Sequence, residues 1–390
     1  MRKLLMLLVA LCCLTFPALA EEDDDFSLDD LLHGLAPDAT EEIIVSTVVQ
    51  EDGLIVDEVI ERPVFEEDGS ILITMTATGD FTIGGDSRKS KNIFEDEKRK
   101  QGGDISFMMR NIRDILLADD LTIVNFEGTL TESTYVPSSK KNNSFLFSAP
   151  PSYVSCLSEN GVEAVSLENN HVQDHGEDVY QETQQVLEQA GIVWSNSEHL
   201  GVIEVKGVQI AMLSYLCIDR YSQLWDKVPA DIQAAKERYP IVIVSFHWGN
   251  ELDYAPTNNQ VKMGRLAVDA GANLVLGHHS HRIQPIECYK GVYICYSLAN
   301  FSFAGNTKPS DMNSYLFQTR FRIREGEEGA QVSNEGFRII PIRISSRTDY
   351  NDFTPTVLEK ATTIDTVLTT LRSNGRKLSY AVESYPLEWE

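Results

Sequence analysis

Apolar, β-branched runs that stop abruptly at a carboxylate, an amide or an imidazole recur along this chain, and no other feature restricts the fold as much. Ile71 to Thr78 runs into Gly79-Asp80, and Leu121 to Val124 is followed by Glu127. Ala164 to Leu167 leads to Asn169-Asn170-His171, Ile241 to Phe246 to His247-Trp248-Gly249, and Leu274 to Leu276 to Gly277-His278-His279-Ser280-His281. Short apolar runs of this kind read as buried strands. Between them lie segments with helical spacing: Asp104 to Ala118, Tyr153 to Ser158, Glu177 to Gln189 closed by Ala190-Gly191, Ala230 to Tyr239, and Asn259 to Ala270 capped by Gly271. Strands alternating with helices predict an α/β fold. In such folds the loops at the C-terminal strand ends converge on ligands, so polar clusters placed there predict a site.

The rest of the chain fits this frame. Val202 to Leu216 reads as a hairpin turning at Lys206-Gly207, and Val292 to Ser297 as a strand ending at Leu298-Ala299-Asn300-Phe301. Beyond Ser310, Tyr315 to Ile323 and Gly336 to Ile344 read as strands. Thr356 to Arg372 reads as an amphipathic helix through Val357, Leu358, Ala361, Ile364, Leu368 and Leu371. The expected organisation is a targeting segment over 1–20, an acidic leader over 21–70, a main domain over 71–310 and a completing or capping segment over 311–390.

Met1-Arg2-Lys3, the apolar run Leu4 to Phe16 and the ending Pro17-Ala18-Leu19-Ala20 have the three-part form of a secretory signal cleaved after Ala20. The run is shorter than the ~20 residues of a bilayer span. Leu11 is bulkier than the small residue expected before a lipidated Cys12, so release outside the membrane is expected over lipid anchoring. From Glu21 to Ser70 the chain carries 18 acidic residues against one basic, Arg62, out of a net charge of −26. Such a segment self-repels and reads as solvated and partly disordered. A chain this acidic is a poor partner for nucleic-acid phosphates. Cys156, Cys217, Cys288 and Cys295 show no paired spacing of a zinc knuckle, and their disulfide state is left open.

Six of the eight histidines fall in or beside the strand-end clusters: His171, His175, His247, His278, His279 and His281. His279 and His281 are one residue apart in a loop and can turn toward a shared point. Asp80 and Glu127 add negative charge, and Asn170 adds a neutral amide oxygen. Hydrolytic metal sites need carboxylates and neutral imidazoles facing one point with a position left for water. Mixed oxygen and imidazole donors suit a divalent transition metal (Mn, Zn or Fe) better than Ca or Mg.

The segments Thr78-Gly79-Asp80, Val124-Asn125-Phe126-Glu127-Gly128, Asn169-Asn170-His171-Val172-Gln173-Asp174-His175-Gly176, His247-Trp248-Gly249-Asn250-Glu251, Gly277-His278-His279-Ser280-His281 and Tyr296-Ser297-Leu298-Ala299-Asn300-Phe301 follow one another in the order seen in the CapA family of bacterial capsule, especially poly-γ-glutamate, synthesis. That family is similar to the calcineurin-like metallophosphoesterases. The resemblance spans about residues 72 to 305 and implies a metallophosphoesterase-like four-layer α/β/β/α sandwich. It implies metal ligation by Asp80, Glu127 (the bridging carboxylate), Asn170, His247, His279 and His281. It also implies His171 as a general acid oriented by Asp174. The partners it implies are an anionic cell-envelope or capsule polymer and membrane capsule-synthesis proteins. Thr82 stands where the wider superfamily carries a histidine, Glu127 replaces an aspartate, and Ala299 replaces a glycine. One metal position is therefore short of a ligand, leaving one ion or two. The implied function is metal-dependent, phosphoesterase-like hydrolysis, or alternatively non-catalytic binding or export of the polymer at the same centre. Arg265 and Arg282 are candidates for offsetting the acidic field near a polyanion.

Overall fold

The computed structural model of the chain describes residues 65–389, apart from Ser87, Ser90, 141–144 and 327–328, together with two earlier strands. Those strands, β1 (Glu41–Val49) and β2 (Ile55–Pro63), pair as an antiparallel ribbon with Val45 opposite Val59. The acidic leader thus holds a pair of strands, because its charge is interleaved with β-branched residues that favour extended pairing. The expected signal sequence, its cleavage after Ala20 and residues 21–40 of the leader lie outside the described residues. Among the described residues no helix is long and apolar enough to cross a membrane.

The next strands in chain order are β3 (Ile71–Phe81), β4 (Leu121–Phe126), the short pair β5 (Thr129–Leu130) and β6 (Ser148–Ala149), β7 (Ala164–Ser166), β8 (Val193–Ser195), β9 (Gly201–Val205) and β10 (Val208–Leu216). They are followed by β11 (Ile241–His247), β12 (Leu274–His278), β13 (Ile286–Tyr289), β14 (Val292–Cys295), β15 (Asn300–Ser302), β16 (Asn313–Arg324), β17 (Gln331–Arg343) and β18 (Thr356–Val357). Two large sheets result. One runs β18-β17-β16-β3-β4-β7-β8, with β15 added beside the end of β3, and the other runs β13-β14-β12-β11-β10-β9. Strands β3, β4, β7 and β8 are mutually parallel, as are β10, β11, β12 and β14. Each sheet therefore collects its strand ends along one edge.

The period-two alternation of the strands explains why two sheets stack. In β11, Ile241 and Ile243 face the core shared with the other sheet, while Val242, Val244 and Phe246 face outward. The shared core takes Ile73, Met75 and Ile123 from one sheet and Ile210, Leu274 and Leu276 from the other. Outside one sheet, Phe94, Tyr180 and Leu187 bring in the helices Ile93–Lys100 and Glu177–Gln189. Outside the other, Val228, Ile232, Met263 and Ala267 bring in Tyr221–Lys236 and Asn258–Asp269. The four layers are those of a metallophosphoesterase-like α/β/β/α sandwich.

Some local expectations need correction. Asp104–Ala118 is two short turns, Ile105–Met108 and Arg113–Leu116, instead of one helix. Phe107, Met108 and Met109 are consecutive and all buried, which a single helical face cannot achieve. The C-terminal helix is Ala361–Gly375, and Thr356–Val357 is instead a strand against β17. Its Val367 and Leu371 join the core between the sheets. The hairpin turn at Lys206-Gly207 stands as read, with both residues at positive φ (51° and 76°). The four cysteines are free thiols, and Cys288 and Cys295 lie opposite Tyr293 and Ile286 instead of each other.

Two glycines let the sheets close on the segment Tyr296–Ala299. A Cβ on Gly79 would lie 2.1 Å from the Ala299 carbonyl oxygen, and one on Gly277 would lie 2.1 Å from that of Tyr296. Ala299 itself takes a left-handed φ of 59°, a conformation that glycine adopts more easily. Gly79→Ala should therefore displace Ala299 and cost about 1–3 kcal/mol of stability through overpacking. Thermal denaturation checks this, and an unchanged midpoint would show that the crossing is looser than the geometry indicates.

Candidate metal centre

The strand registers dictate which side chains meet. Asp80, near the end of β3, lies level with Asn125 of β4 on one side and Asn300 of β15 on the other. In the second sheet His247 ends β11 level with His278 at the end of β12. Glu127 follows β4 directly, its backbone N–H donating to Phe81 O at 2.9 Å. His279 and His281 follow β12 with φ values of 89° and 52°, left-handed backbone that is costly away from glycine. Leu252 N donates to Ser280 O at 2.8 Å, tying the loop after β11 onto the histidine loop.

Asp80 and Glu127 are both buried, yet their surroundings differ. Asp80 accepts from Asn125 Nδ2 at 2.8 Å, from the His279 backbone N–H at 3.2 Å and from His281 Nδ1 at 3.0 Å, with His278 Nδ1 at 3.4 Å. Neither oxygen of Glu127 has a hydrogen-bond partner among the described residues. Around its Oε1 stand three imidazole nitrogens: His171 Nε2 at 3.7 Å, His247 Nε2 at 3.9 Å and His281 Nε2 at 4.0 Å. An unpaired buried carboxylate costs several kcal/mol unless something compensates it. A cation is the simplest compensation available to this donor set.

The electrostatics agree with that reading. Burial alone would raise Asp80, but His278 and His281 hold it well below the usual carboxylate range. Burial and then the charge of Asp80 push Glu127 up to about 7. Burial, followed by the neighbouring His281, lowers His279 to about 4. Burial and then His279 likewise lower His247 well below its ordinary value. Both are therefore neutral imidazoles with lone pairs to offer. His281 is the exception: against the effect of burial, Glu127 and Asp80 raise it to about 9. A metal entering the centre must displace the protons on Glu127 and His281. Its affinity should thus rise between about pH 6 and about pH 9 with proton release. Calorimetric titration in buffers of different ionisation heat checks this, and pH-independent affinity would contradict it.

The structure brings together the eight residues expected to hold metal or pass protons: Asp80, Glu127, Asn170, His171, Asp174, His247, His279 and His281. Asn170 Oδ1 accepts from His247 Nε2 at 2.7 Å, so both point at one spot. His171 Nδ1 donates to Asp174 Oδ2 at 2.7 Å, and Asp174 is itself held by Phe147 N at 2.9 Å and Lys140 Nζ at 3.1 Å. Three groups were missed. Asn125 and Asn300 bond Asp80 and His281 directly, with Asn300 Oδ1 3.0 Å from His281 Nδ1. Glu251 lies close to His279 and His281, all their donor atoms within 4.8 Å of one another. All three stand in strand-end segments, which was the available signal.

Other expectations do not reach the centre. His175 Nδ1 donates to Tyr135 O at 2.7 Å and is structural. Thr82 is buried and accepts from Ala304 N at 2.6 Å, so it supplies no ligand in place of histidine. Arg265 is committed to Glu287 at 3.0 and 2.6 Å because its helix packs over β14 and turns it away. Arg282 donates to His281 O and Ser310 Oγ. A cleft of about 740 Å³ opens beside Asn170 and His279, lined by Asp219, Tyr221, Asn250 and Glu251 among others and, among the described residues, by no lysine or arginine.

The family described as bacterial capsule synthesis protein PGA_cap matches residues 74–304. A PGA biosynthesis protein CapA from Bacillus subtilis (strain 168) is 28% identical over 310 residues, covering 74% of this chain and 76% of that protein. A capsule biosynthesis protein CapA from Bacillus anthracis is 28% identical over 276 residues, 64% of each chain.

Proposed function

This chain belongs to the bacterial capsule synthesis family PGA_cap, and we propose that it serves poly-γ-glutamate capsule metabolism outside the cell membrane through a metal-dependent, phosphoesterase-like hydrolase site. The observation that carries the reading is Glu127, buried with both oxygens unpaired and ringed by three imidazole nitrogens. The name of the Bacillus subtilis relative, a PGA biosynthesis protein, supports the polymer, that of the Bacillus anthracis relative supports a capsule role, and the signal-like N-terminus supports export. Asp80, Glu127, Asn170, His247, His279 and His281 would hold a divalent transition metal. When bound, such an ion polarises the scissile group and lowers the pKa of a bound water. The chain's own residues do the remaining work. Asp174 accepts from His171 Nδ1 and fixes the direction of the ring, so that Nε2, when the imidazole carries its second proton, would pass that proton to the leaving group. Phe147, packed 4.8 Å from the His171 ring, limits its rotation. Among the described residues the cleft offers no lysine or arginine to a polyanion, so the bound ion is what would anchor it.

A second reading keeps the same metal and polymer but has the centre grip without cleaving. Thr82 favours it, since that position lends no ligand. Elemental analysis of the purified protein, with hydrolysis assays on p-nitrophenyl phosphoesters and on poly-γ-glutamate, separates the two. Metal with turnover supports the hydrolase, metal with polymer binding alone supports the grip, and absence of metal defeats both.

A further inference from the structure

Two overlapping ligand groups occupy the strand-end edge, and they differ in exposure. Asp80, Glu127 and His281 have donor atoms mutually within 4.8 Å, and both carboxylates of this group are fully buried. Glu251, His279 and His281 satisfy the same limit, but here the carboxylate is exposed and lines the cleft. His279 is 5% exposed, and its Nδ1 has no hydrogen-bond partner among the described residues. A buried, neutral, unpartnered imidazole nitrogen beside a carboxylate is a poor arrangement for packing alone.

We propose that Glu251 supplies the carboxylate of a second, outer metal position at the mouth of the cleft, making up for the ligand that Thr82 does not provide. This rests on the metal-dependent reading of the centre above. Backbone geometry holds Glu251 in place. Gly249 has φ 80°, and a Cβ there would meet Gln260 Oε1 at 2.5 Å. Leu252, at φ 66°, donates its N–H to Ser280 O at 2.8 Å between the two histidines. The loop that carries Glu251 is thus pinned onto the histidine loop. Oxygen and imidazole donors together suit a transition metal. The inner group is sealed by buried carboxylates, whereas the outer group opens to solvent. The outer ion is therefore the exchangeable one and the one that meets ligand in the cleft.

The test is metal titration of the full chain, stripped with chelator and reloaded with Mn²⁺ or Zn²⁺, followed by calorimetry and elemental analysis. Wild type should show two classes of ion. Glu251→Ala should lose the weaker class, or weaken it at least tenfold, while keeping the tighter one. Glu251→Gln should lie between, and an unchanged circular-dichroism spectrum in both variants confirms that they fold. A wild type with a single class of ion overturns the proposal, as does a Glu251→Ala protein with both classes unaltered. A wild type that binds no ion defeats the metal reading itself, an outcome distinct from these two.

Discussion

Replacing Glu127 by glutamine should abolish binding of the buried, tighter ion and cut hydrolysis by well over a hundredfold, while raising the thermal midpoint of the metal-free protein. The two effects have one cause. Glu127 is a buried carboxylate whose oxygens have no donor among the described residues and whose nearest polar atoms are imidazole nitrogens 3.7 to 4.0 Å away. Even losing a partner that merely supports a metal ligand costs 10–100-fold in affinity or activity, and removing the ligand itself should exceed that. Without metal, the group sits where its charged form is penalised, by burial and then by Asp80, which is why it is pushed up to about 7. Relieving such a group gains on the order of 1–3 kcal/mol, which corresponds to roughly 1.5–4.5 °C in a domain of this size. Metal analysis and calorimetric melting of chelated protein read the two effects separately. A Glu127→Gln protein that melts lower than wild type when both are metal-free would show that some other group already satisfies the carboxylate.

His171→Ala should lower hydrolysis by about 10²–10⁴-fold, the usual contribution of a general acid, while leaving metal content unchanged. His171 Nδ1 is fixed by Asp174 at 2.7 Å, and Nε2 faces the centre at 3.7 Å from Glu127. The imidazole is thus aimed at the reacting region from outside the carboxylate cluster. Asp174→Asn should reproduce part of the loss, because the ring would lose the acceptor that orients it. If His171→Ala instead released the metal and left no folded, loaded protein to assay, His171 would be a ligand. If activity were untouched, the proton donor would lie elsewhere.

Much of this architecture was readable because period-two alternation and strand-end punctuation are local. The runs around Ile73, Ile123, Val165, Ile243 and Leu276 are buried strands, and Asp80, Glu127, Asn170, His247 and His279 stand at their ends. What could not be read depends on cross-strand register. Asn125 and Asn300 flank Asp80 because β4 and β15 pair with β3 on either side, and β15 lies more than two hundred residues from β3 along the chain. Glu251 joins His279 only because the loop after β11 folds onto the histidine loop through Leu252 and Ser280. Arg265 failed as a site residue for a related reason: its helix covers β14, where Glu287 captures the guanidinium. In Asp104–Ala118, helical spacing was present but three consecutive buried residues forced the chain into two turns.

The central claim, that this strand-end edge is a metal centre, is tested most directly by the metal content of the purified chain compared with His279→Ala/His281→Ala. Wild type should carry at least one divalent transition ion per chain that survives gel filtration, and the double variant should carry none while keeping its fold. A folded wild type that binds no transition metal even when it is offered, or a double variant with the same metal content as wild type, would contradict the account.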